Sequence, residues 1–307
     1  MALLGQCAAT SPHQIQTDEQ NFNMNMRRVI LCLVFLMTHF TYSFGREGAM
    51  EFVVREYNVY DAPTSVLFEG DSYQMILRGD TRDDEMKGVG IFTGHISTDV
   101  LSELRGKLKQ APQDEGRFVS KSLVDKYVKR FFREGQRLCK LDAKIDVIPS
   151  RNGGLLVTIK FINSGNERIV FENPATWEGE SNRILGSSNI AVLGKPASSN
   201  QSEDVYFLID DVGGAQLANP GASDAGSFLI NPGQVRSIEF VAFPDKPIKR
   251  GEYIIAANIS IKRIMEPALL SGVVEFASLS SHVNFSRDYP STPEEIKAFN
   301  AYLKAHP

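Results

Sequence analysis

The chain after Leu141 consists of short runs in which apolar and polar residues alternate, separated by turn residues. In residues 155–161 every second position is apolar, an Asn163–Gly165 turn follows, and the pattern restarts at Ile169. Further apolar runs occupy 205–209, 238–243, 253–261 and 272–277. A period of two is that of a strand with one buried face. About seven such strands without intervening helices predict an antiparallel β-sandwich.

Three short motifs in this region resemble those of bacterial immunoglobulin-like sandwiches of the intracellular proteinase inhibitor type. They are Val157–Asn163 followed by Gly165, Leu229–Gly233, and Gly251–Tyr253. The resemblance covers about residues 141–280 and implies an immunoglobulin-like fold in which the Tyr253 hydroxyl anchors a corner of the sandwich. It implies no activity, because such sandwiches host many functions and no inhibitory loop is matched.

The preceding segment mixes strands with helices. Strands are predicted at 51–60, 72–77 and 88–93. A first helix is predicted after Ser97, and a second runs from Ser120 to Arg137 with Gly135 as a C-terminal stop signal. Their apolar residues recur at helical spacing, at positions 100, 101, 104 and 108 and at 123, 124, 127, 128, 131 and 132. The pattern predicts an α+β N-terminal domain.

The chain closes with a predicted helix. Thr292–Glu295 forms a capping box with proline at the first helical position, and Ile296, Phe299 and Tyr302 lie on one face. We expect this helix to pack back on the body. The predicted organisation is therefore a leader extension (1–25), a signal peptide (26–45), an α+β domain (46–139), an immunoglobulin-like sandwich (140–286) and a C-terminal helix (287–307).

An export signal is predicted near the start of the chain. Arg27 and Arg28 precede the uninterrupted apolar run 29–37, and small residues at Ser43 and Gly45 offer a cleavage site. The run is too short for a membrane span, for which about 18 residues are needed, but it has the length of the apolar h-region inside a signal peptide. The alternatives are a core helix or a retained anchor. Cleavage predicts a periplasmic or secreted protein without stable membrane insertion.

Cysteine usage follows from this cleavage. Cys7 and Cys32 leave with the leader, so that Cys139 remains alone and the mature chain has no internal disulfide. We expect Cys139 to be a buried apolar filler, because no histidine or second cysteine is adjacent.

No pattern for catalysis, metal or cofactor binding is found in the sequence. The net charge of −4 is too small to favour nucleic acid as a partner. His95 and His282 are isolated, and the acidic loop 80–85 lacks the calcium-loop spacing, so a solvated turn is favoured there over an ion site. Gly221–Ala225 matches the sequence motif of a serine nucleophile elbow only in part. We therefore expect no cofactor, no metal and no enzymatic activity.

Two features could bind another protein. On the predicted helix from Ser120 to Arg137 the basic residues outnumber the acidic ones, which are Asp125 and Glu134. The candidate binding residues here are Lys126, Lys129, Arg130, Arg133 and Arg137. A solvated face, a docking surface for an acidic partner, and contact with anionic lipid are all compatible with this pattern. Trp177, the only tryptophan, is either packed under a loop or an exposed interface anchor.

These observations predict an exported, non-enzymatic protein that binds another protein. A sharper hypothesis is an immunity protein against a periplasm-acting toxin. The alternatives are a secreted or periplasmic hydrolase with carboxylates gathered at the domain junction, and a structural protein of the cell surface.

Overall fold

A computed structural model describes residues 50–55, 64–80, 86–110, 118–151, 153–174, 188–198, 204–209, 216–217 and 226–305. Contacts group the chain into two compact units, Met1–Ala49 and Met50–Pro307. The leader extension and the signal peptide predicted at 1–45 lie outside the described residues, as do Trp177 and positions 81–85 of the acidic loop.

The described residues are dominated by β-strands, as the alternating pattern predicted. The strands of the first half are β1 (Met50–Arg55), β2 (Thr64–Glu69), β3 (Ser72–Leu77), β4 (Gly79–Asp80), β5 (Val89–His95), β6 (Phe118–Ser120) and β7 (Gln136–Pro149). Those of the second half are β8 (Leu155–Asn163), β9 (Ile169–Glu172), β10 (Asn189–Pro196), β11 (Val205–Leu208), β12 (Gln216–Leu217), β13 (Ser227–Ile230), β14 (Val235–Pro244), β15 (Gly251–Ile261), β16 (Ile264–Glu266) and β17 (Val274–Phe285). The second half thus has more strands than the seven predicted.

Within the described residues, three helices accompany these strands. They are α1 (Thr98–Gln110), α2 (Lys121–Glu134) and α3 (Pro293–Ala305), with a short 3-10 turn at Ala268–Leu270. Helix α2 ends three residues before the predicted limit, so Arg137 belongs to strand β7 and not to the helix. None of the helices in the described ranges is long and apolar enough to cross a membrane.

Most strands belong to one large sheet. Its order is β4-β17-β15-β10-β11-β14-β8-β7-β5-β3-β2-β1-β6, with β12 also paired to β14, and a separate sheet has the order β13-β9-β16. Strand β7 changes partner along its length, because residues up to Leu141 pair with β5 and residues from Leu141 onward pair with β8. This change lies beside the domain boundary that the sequence places between residues 139 and 140.

The larger hydrophobic core lies between one end of the large sheet and its middle strands. The buried side chains of β7, β8 and β14 pack with those of β10, β15 and β17 in one cluster. Phe161 of β8 stands 6.3 Å from Phe276 of β17 and 5.4 Å from Phe171 of β9, measured between ring centroids. The three-stranded sheet therefore adds its aromatic residues to the same core.

A second core forms where the two N-terminal helices cover strands β1, β2, β3 and β5. Their buried residues include Phe52, Phe68 and Met75 on the strands and Leu104 and Phe131 on the helices. The apolar stripes predicted for both helices are therefore the faces that pack on the sheet.

Helix α3 packs on the body, as predicted, and its capping box is formed. The Thr292 hydroxyl accepts a hydrogen bond from the Glu295 amide at 3.2 Å, while the Glu295 carboxylate accepts the amides of Ser291 and Thr292. Phe299 meets the ring of Tyr289 at 5.8 Å between centroids. Arg287 holds the Glu295 carboxylate with both terminal nitrogens, at 2.9 and 2.6 Å. These bonds lower the pKa of Glu295 to about 2.

The contribution of the Glu295 carboxylate to stability should be visible in the pH dependence of unfolding. A carboxylate with a lowered pKa stabilises the fold above its unfolded pKa, and this contribution is lost as the pH falls from about 5 to about 2. Glu295→Gln should therefore flatten the fall of the melting temperature in this window, measured by thermal circular dichroism. Glu294→Gln is the matched control, because Glu294 accepts none of the described hydrogen bonds of the cap. An unchanged slope in Glu295→Gln would contradict the assignment.

Candidate functional site

Helix α2 presents opposite faces to the core and to solvent. Val124, Tyr127, Val128, Phe131 and Phe132 are buried against the sheet. The helical period therefore turns the intervening basic residues outward. With Arg137 on the following strand, they form an outward group that we call the basic surface; its members are Lys126, Lys129, Arg130, Arg133 and Arg137.

Three members of the basic surface have acidic partners within the fold. Lys126 Nζ lies 2.7 Å from Glu103 Oε1 of helix α1, and Lys129 Nζ lies 3.0 Å from Asp125 Oδ2. Arg130 Nε lies 2.8 Å from Glu134 Oε2, one turn along the helix. The hydrogen bond that Lys126 donates to Glu103 raises the pKa of Lys126, and the bond that Arg130 donates to Glu134 raises the pKa of Arg130. These charges are therefore partly balanced within the protein.

The other two members have no carboxylate partner within the part of the chain that the structure describes. Arg133 is exposed, and its Nε donates only a long bond of 3.4 Å to the backbone oxygen of Lys129. Arg137 is also exposed, near the start of β7. The two arginines stand on either side of the corner where α2 ends and β7 begins, so uncompensated positive charge is concentrated there.

Gly135 permits this tight corner because it has no side chain. Its φ of −69° and ψ of 143° are extended values that any residue adopts, so it does not stop the helix through a left-handed conformation. A Cβ atom on Gly135 would stand 2.5 Å from the backbone oxygen of Phe131 and 2.9 Å from the hydroxyl of Tyr73. That hydroxyl donates to the same Phe131 oxygen at 3.2 Å, and burial raises the pKa of Tyr73. The corner is thus closed tightly over strand β3.

A cleft of about 610 Å³ lies beside the same corner. Its lining includes Glu134 and Gln136 from the corner, with Glu69, Gln74 and His95 from the neighbouring strands. Most of these side chains are polar and stand at or near the ends of strands β2, β3 and β5. The cleft was not predicted from the sequence, because its residues come from separate strands.

Ser72 and His95 of the cleft lining stand close to Asp71, but the three side chains do not have the arrangement of a catalytic triad. Ser72 Oγ lies 3.2 Å from His95 Nδ1, and Asp71 Oδ1 lies 3.6 Å from the same nitrogen. A triad needs the serine and the aspartate on different ring nitrogens, because one accepts the serine proton while the other donates to the carboxylate. Both His95 and Asp71 are also largely exposed. The group therefore forms a surface hydrogen-bonded turn.

His282 is exposed and bonds Glu252, and within the described residues no group of three or more His, Cys, Asp or Glu side chains could hold a metal ion. Cys139 is buried, as predicted, and burial raises the pKa of its thiol to about 12. Trp177 lies outside the described residues.

Sequence reasoning missed a row of exposed apolar residues. Ile148, Leu156 and Val241 stand side by side on β7, β8 and β14, and each is more than a third exposed. We call these three residues the apolar row. One signal in the sequence could have indicated this row. Leu156, between Leu155 and Val157, is an apolar residue at an outward position of the alternating pattern, where a polar residue is expected.

Comparisons with known proteins identify no relative. No protein-family model and no curated protein matches the chain. Similar solved structures include β-glucosidase 3B from Thermotoga neapolitana in complexes with glucose and with glycerol. In both, the identity is 12%, the match covers 58% of this chain and 22% of the glucosidase chain, and the TM-score is 0.25. The chain thus covers less than a quarter of the glucosidase, and a similarity at this score supports no conclusion.

Replacing Gly135 tests the corner that carries the basic surface. Gly135→Ala should lower the free energy of unfolding by about 1–3 kcal/mol, because the new methyl group overlaps backbone that cannot move freely. Gly106→Ala is the control, since nothing lies within 4 Å of its Cβ position on helix α1 and alanine favours a helix by about 1 kcal/mol. Urea unfolding should therefore give opposite signs for the two variants. Equal effects would show that the corner is not tightly packed.

Proposed function

We propose that this is an exported, non-enzymatic protein that binds an acidic protein partner through the basic surface. The observation that carries the proposal is the pair Arg133 and Arg137. Both arginines are exposed at the α2–β7 corner without a carboxylate partner among the described residues. They stand out on a chain whose net charge is −4. Uncompensated positive charge on an acidic protein attracts negatively charged surfaces.

The other three side chains of the basic surface support the same role because ion pairs hold them in place. The ion pairs of Lys126, Lys129 and Arg130 fix the positions of these side chains on the helix. Side chains that are already ordered lose less conformational entropy on binding. Burial of the opposite face of α2 in the second core holds the helix in place. We therefore propose a preformed docking surface.

We also propose that residues 140–286 form an immunoglobulin-like sandwich. The two packed layers around the larger core support this fold. So do the three motifs of the resemblance. The Asn163 side chain accepts the Gly165 amide at 3.1 Å, Gly233 has a positive φ of 73°, and the Tyr253 hydroxyl accepts the Lys249 amide at 3.3 Å.

The sharper form of the proposal is an immunity protein that neutralises a toxin acting in the periplasm. The export signal predicted at 26–45 would place the protein where such a toxin acts. Binding through a rigid charged surface would block the toxin by covering it, which requires no chemistry from this chain. The basic surface requires an acidic patch on that partner.

Charge reversal at the corner tests the proposal. Full-length tagged protein, expressed in its own host, is recovered from the envelope fraction, and the co-purifying partner is identified and measured. Arg133→Glu with Arg137→Glu should weaken its binding by at least about tenfold, since close charge pairs across interfaces contribute more than about 1.4 kcal/mol.

The matched control makes the same change in net charge at another place on the surface. Lys297→Glu with Lys304→Glu reverses two exposed lysines of helix α3 and should leave the binding unchanged. Absence of any stable partner, or equal loss of binding in both double variants, would reject the basic surface as the docking site.

A further inference from the structure

The outward sides of β7, β8 and β14 form a regular array of twelve side chains, which we call the open face. The strands pair in register, so the residues fall into four rows across the sheet. From one end to the other, the rows are Ile148–Leu156–Val241, Asp146–Thr158–Glu239, Lys144–Lys160–Ser237 and Asp142–Ile162–Val235. The alternate residues of the same strands point into the larger core.

The apolar row at the end of the open face is unusually accessible. Ile148 is 62% exposed, Leu156 38% and Val241 45%. At the opposite end, Val235 is 47% exposed beside the partly buried Ile162. Apolar residues that are scattered singly on a surface are ordinary, but contiguous rows of them mark interaction sites.

The two middle rows of the open face carry charges of opposite sign. Asp146 and Glu239 occupy one row, and Lys144 and Lys160 the next. Lys160 pairs with Asp146 within the chain, and Glu239 accepts the Thr158 hydroxyl at 3.3 Å. Lys144 is exposed and has no ion-pair partner within the described residues.

From this order of rows we infer that the open face binds a second copy of this chain, face to face, about a two-fold axis that lies across the strands between the two charged rows. Such an axis places the first row on the fourth and the second on the third. Lys144 then meets Asp146 of the other copy, Leu156 meets Ile162, and Val241 meets Val235. Ile148 meets Asp142, whose carboxylate is paired with Lys140 of its own copy at 2.7 Å. The charged pair and the two apolar pairs are therefore complementary to themselves, as a two-fold interface requires.

The charges distinguish this axis from the other two-fold arrangement. An axis along the strands would keep each row on itself and place β7 over β14. Asp146 would then face Glu239, and Lys160 would face its own copy. Like charges in contact across an interface cost several kcal/mol, so the pattern selects the axis across the strands.

The two helices that border the open face leave its rows uncovered. Helix α2 reaches this side of the sheet at Lys140, whose Nζ lies 5.8 Å from the Phe132 ring centroid. Helix α3 reaches it at Phe243, whose ring lies 5.1 Å from that of Tyr302. The first contact is on β7 beyond the fourth row, and the second is on β14 beyond the first row. Within the described residues, neither helix covers the four rows between these contacts.

The size of the open face predicts a weak dimer. With strands about 4.8 Å apart and about 6.7 Å between rows, twelve side chains cover about 390 Å² of sheet in each copy. Stable interfaces bury about 800 Å² of surface on each partner, and smaller ones are transient. We therefore expect a dissociation constant on the order of 10–100 µM.

Analytical ultracentrifugation of the full chain tests the inference with a charge swap. Wild-type protein should change from monomer to dimer as its concentration passes through this range. Lys144→Glu and Asp146→Lys should each weaken self-association at least about tenfold, because each places like charges opposite one another twice. An equimolar mixture of the two variants should dimerise about as well as wild type, since both cross-copy pairs are then of opposite sign.

The mixture also separates the inference from misfolding. Asp146→Lys places the new lysine side by side with Lys144 within one copy, next to Lys160. A variant that this repulsion had misfolded would not dimerise in the mixture, so dimerisation of the mixture excludes misfolding as the cause. Lys297→Glu on helix α3 serves as a charge control and should dimerise like wild type. A wild-type chain that stays monomeric at about 1 mM, some tenfold above the weakest expected dissociation constant, or a mixture that remains monomeric, would overturn the inference.

Discussion

The fold depends on how closely other backbone approaches strand β7 at Cys139 and Lys140. A Cβ atom on Gly90 of β5 would stand 2.2 Å from the Cys139 oxygen. One on Gly165 would stand 2.5 Å from the Lys140 nitrogen. Two glycines therefore permit backbone contacts at the point where β7 passes from β5 to β8. No residue with a side chain could take either place without moving the strands apart.

This crowded point determines where both proposed surfaces lie. On one side of it, β7 pairs with β5 under the two helices, and the α2–β7 corner presents Arg133 and Arg137 to solvent. On the other side, β7 pairs with β8 and contributes one column of the open face. Because a single strand runs through both parts, the register of the open face and the position of the basic surface are set by the same backbone.

The sequence predicted features that depend on local spacing. The apolar stripe of α2, the capping box at Thr292–Glu295 and the burial of Cys139 needed only periodicity or a short motif. The sequence prediction extended α2 to Arg137, three residues past its end, although it named Gly135 as the stop signal. Gly135 does follow the last helical residue, but it acts by leaving room for the Phe131 oxygen and not through a left-handed conformation. The cleft and the apolar row could not be predicted, since their residues meet only after separate strands pair. Leu156 becomes part of a row only when the registers of β7 and β14 are known.

The two surfaces make different physical demands. The basic surface is an arginine-rich corner whose attraction for a partner is long-ranged and weakened by salt. The open face combines apolar rows with charges that match only in one orientation, so it selects a partner of the same sequence. Since α2 meets this side of the sheet at Lys140, beyond the fourth row, the basic surface and the open face share no residue, and binding at one does not require the other to be vacant. A dimer through the open face would therefore carry two copies of the basic surface, and a partner with two acidic patches would gain affinity from both when its geometry lets it engage them together.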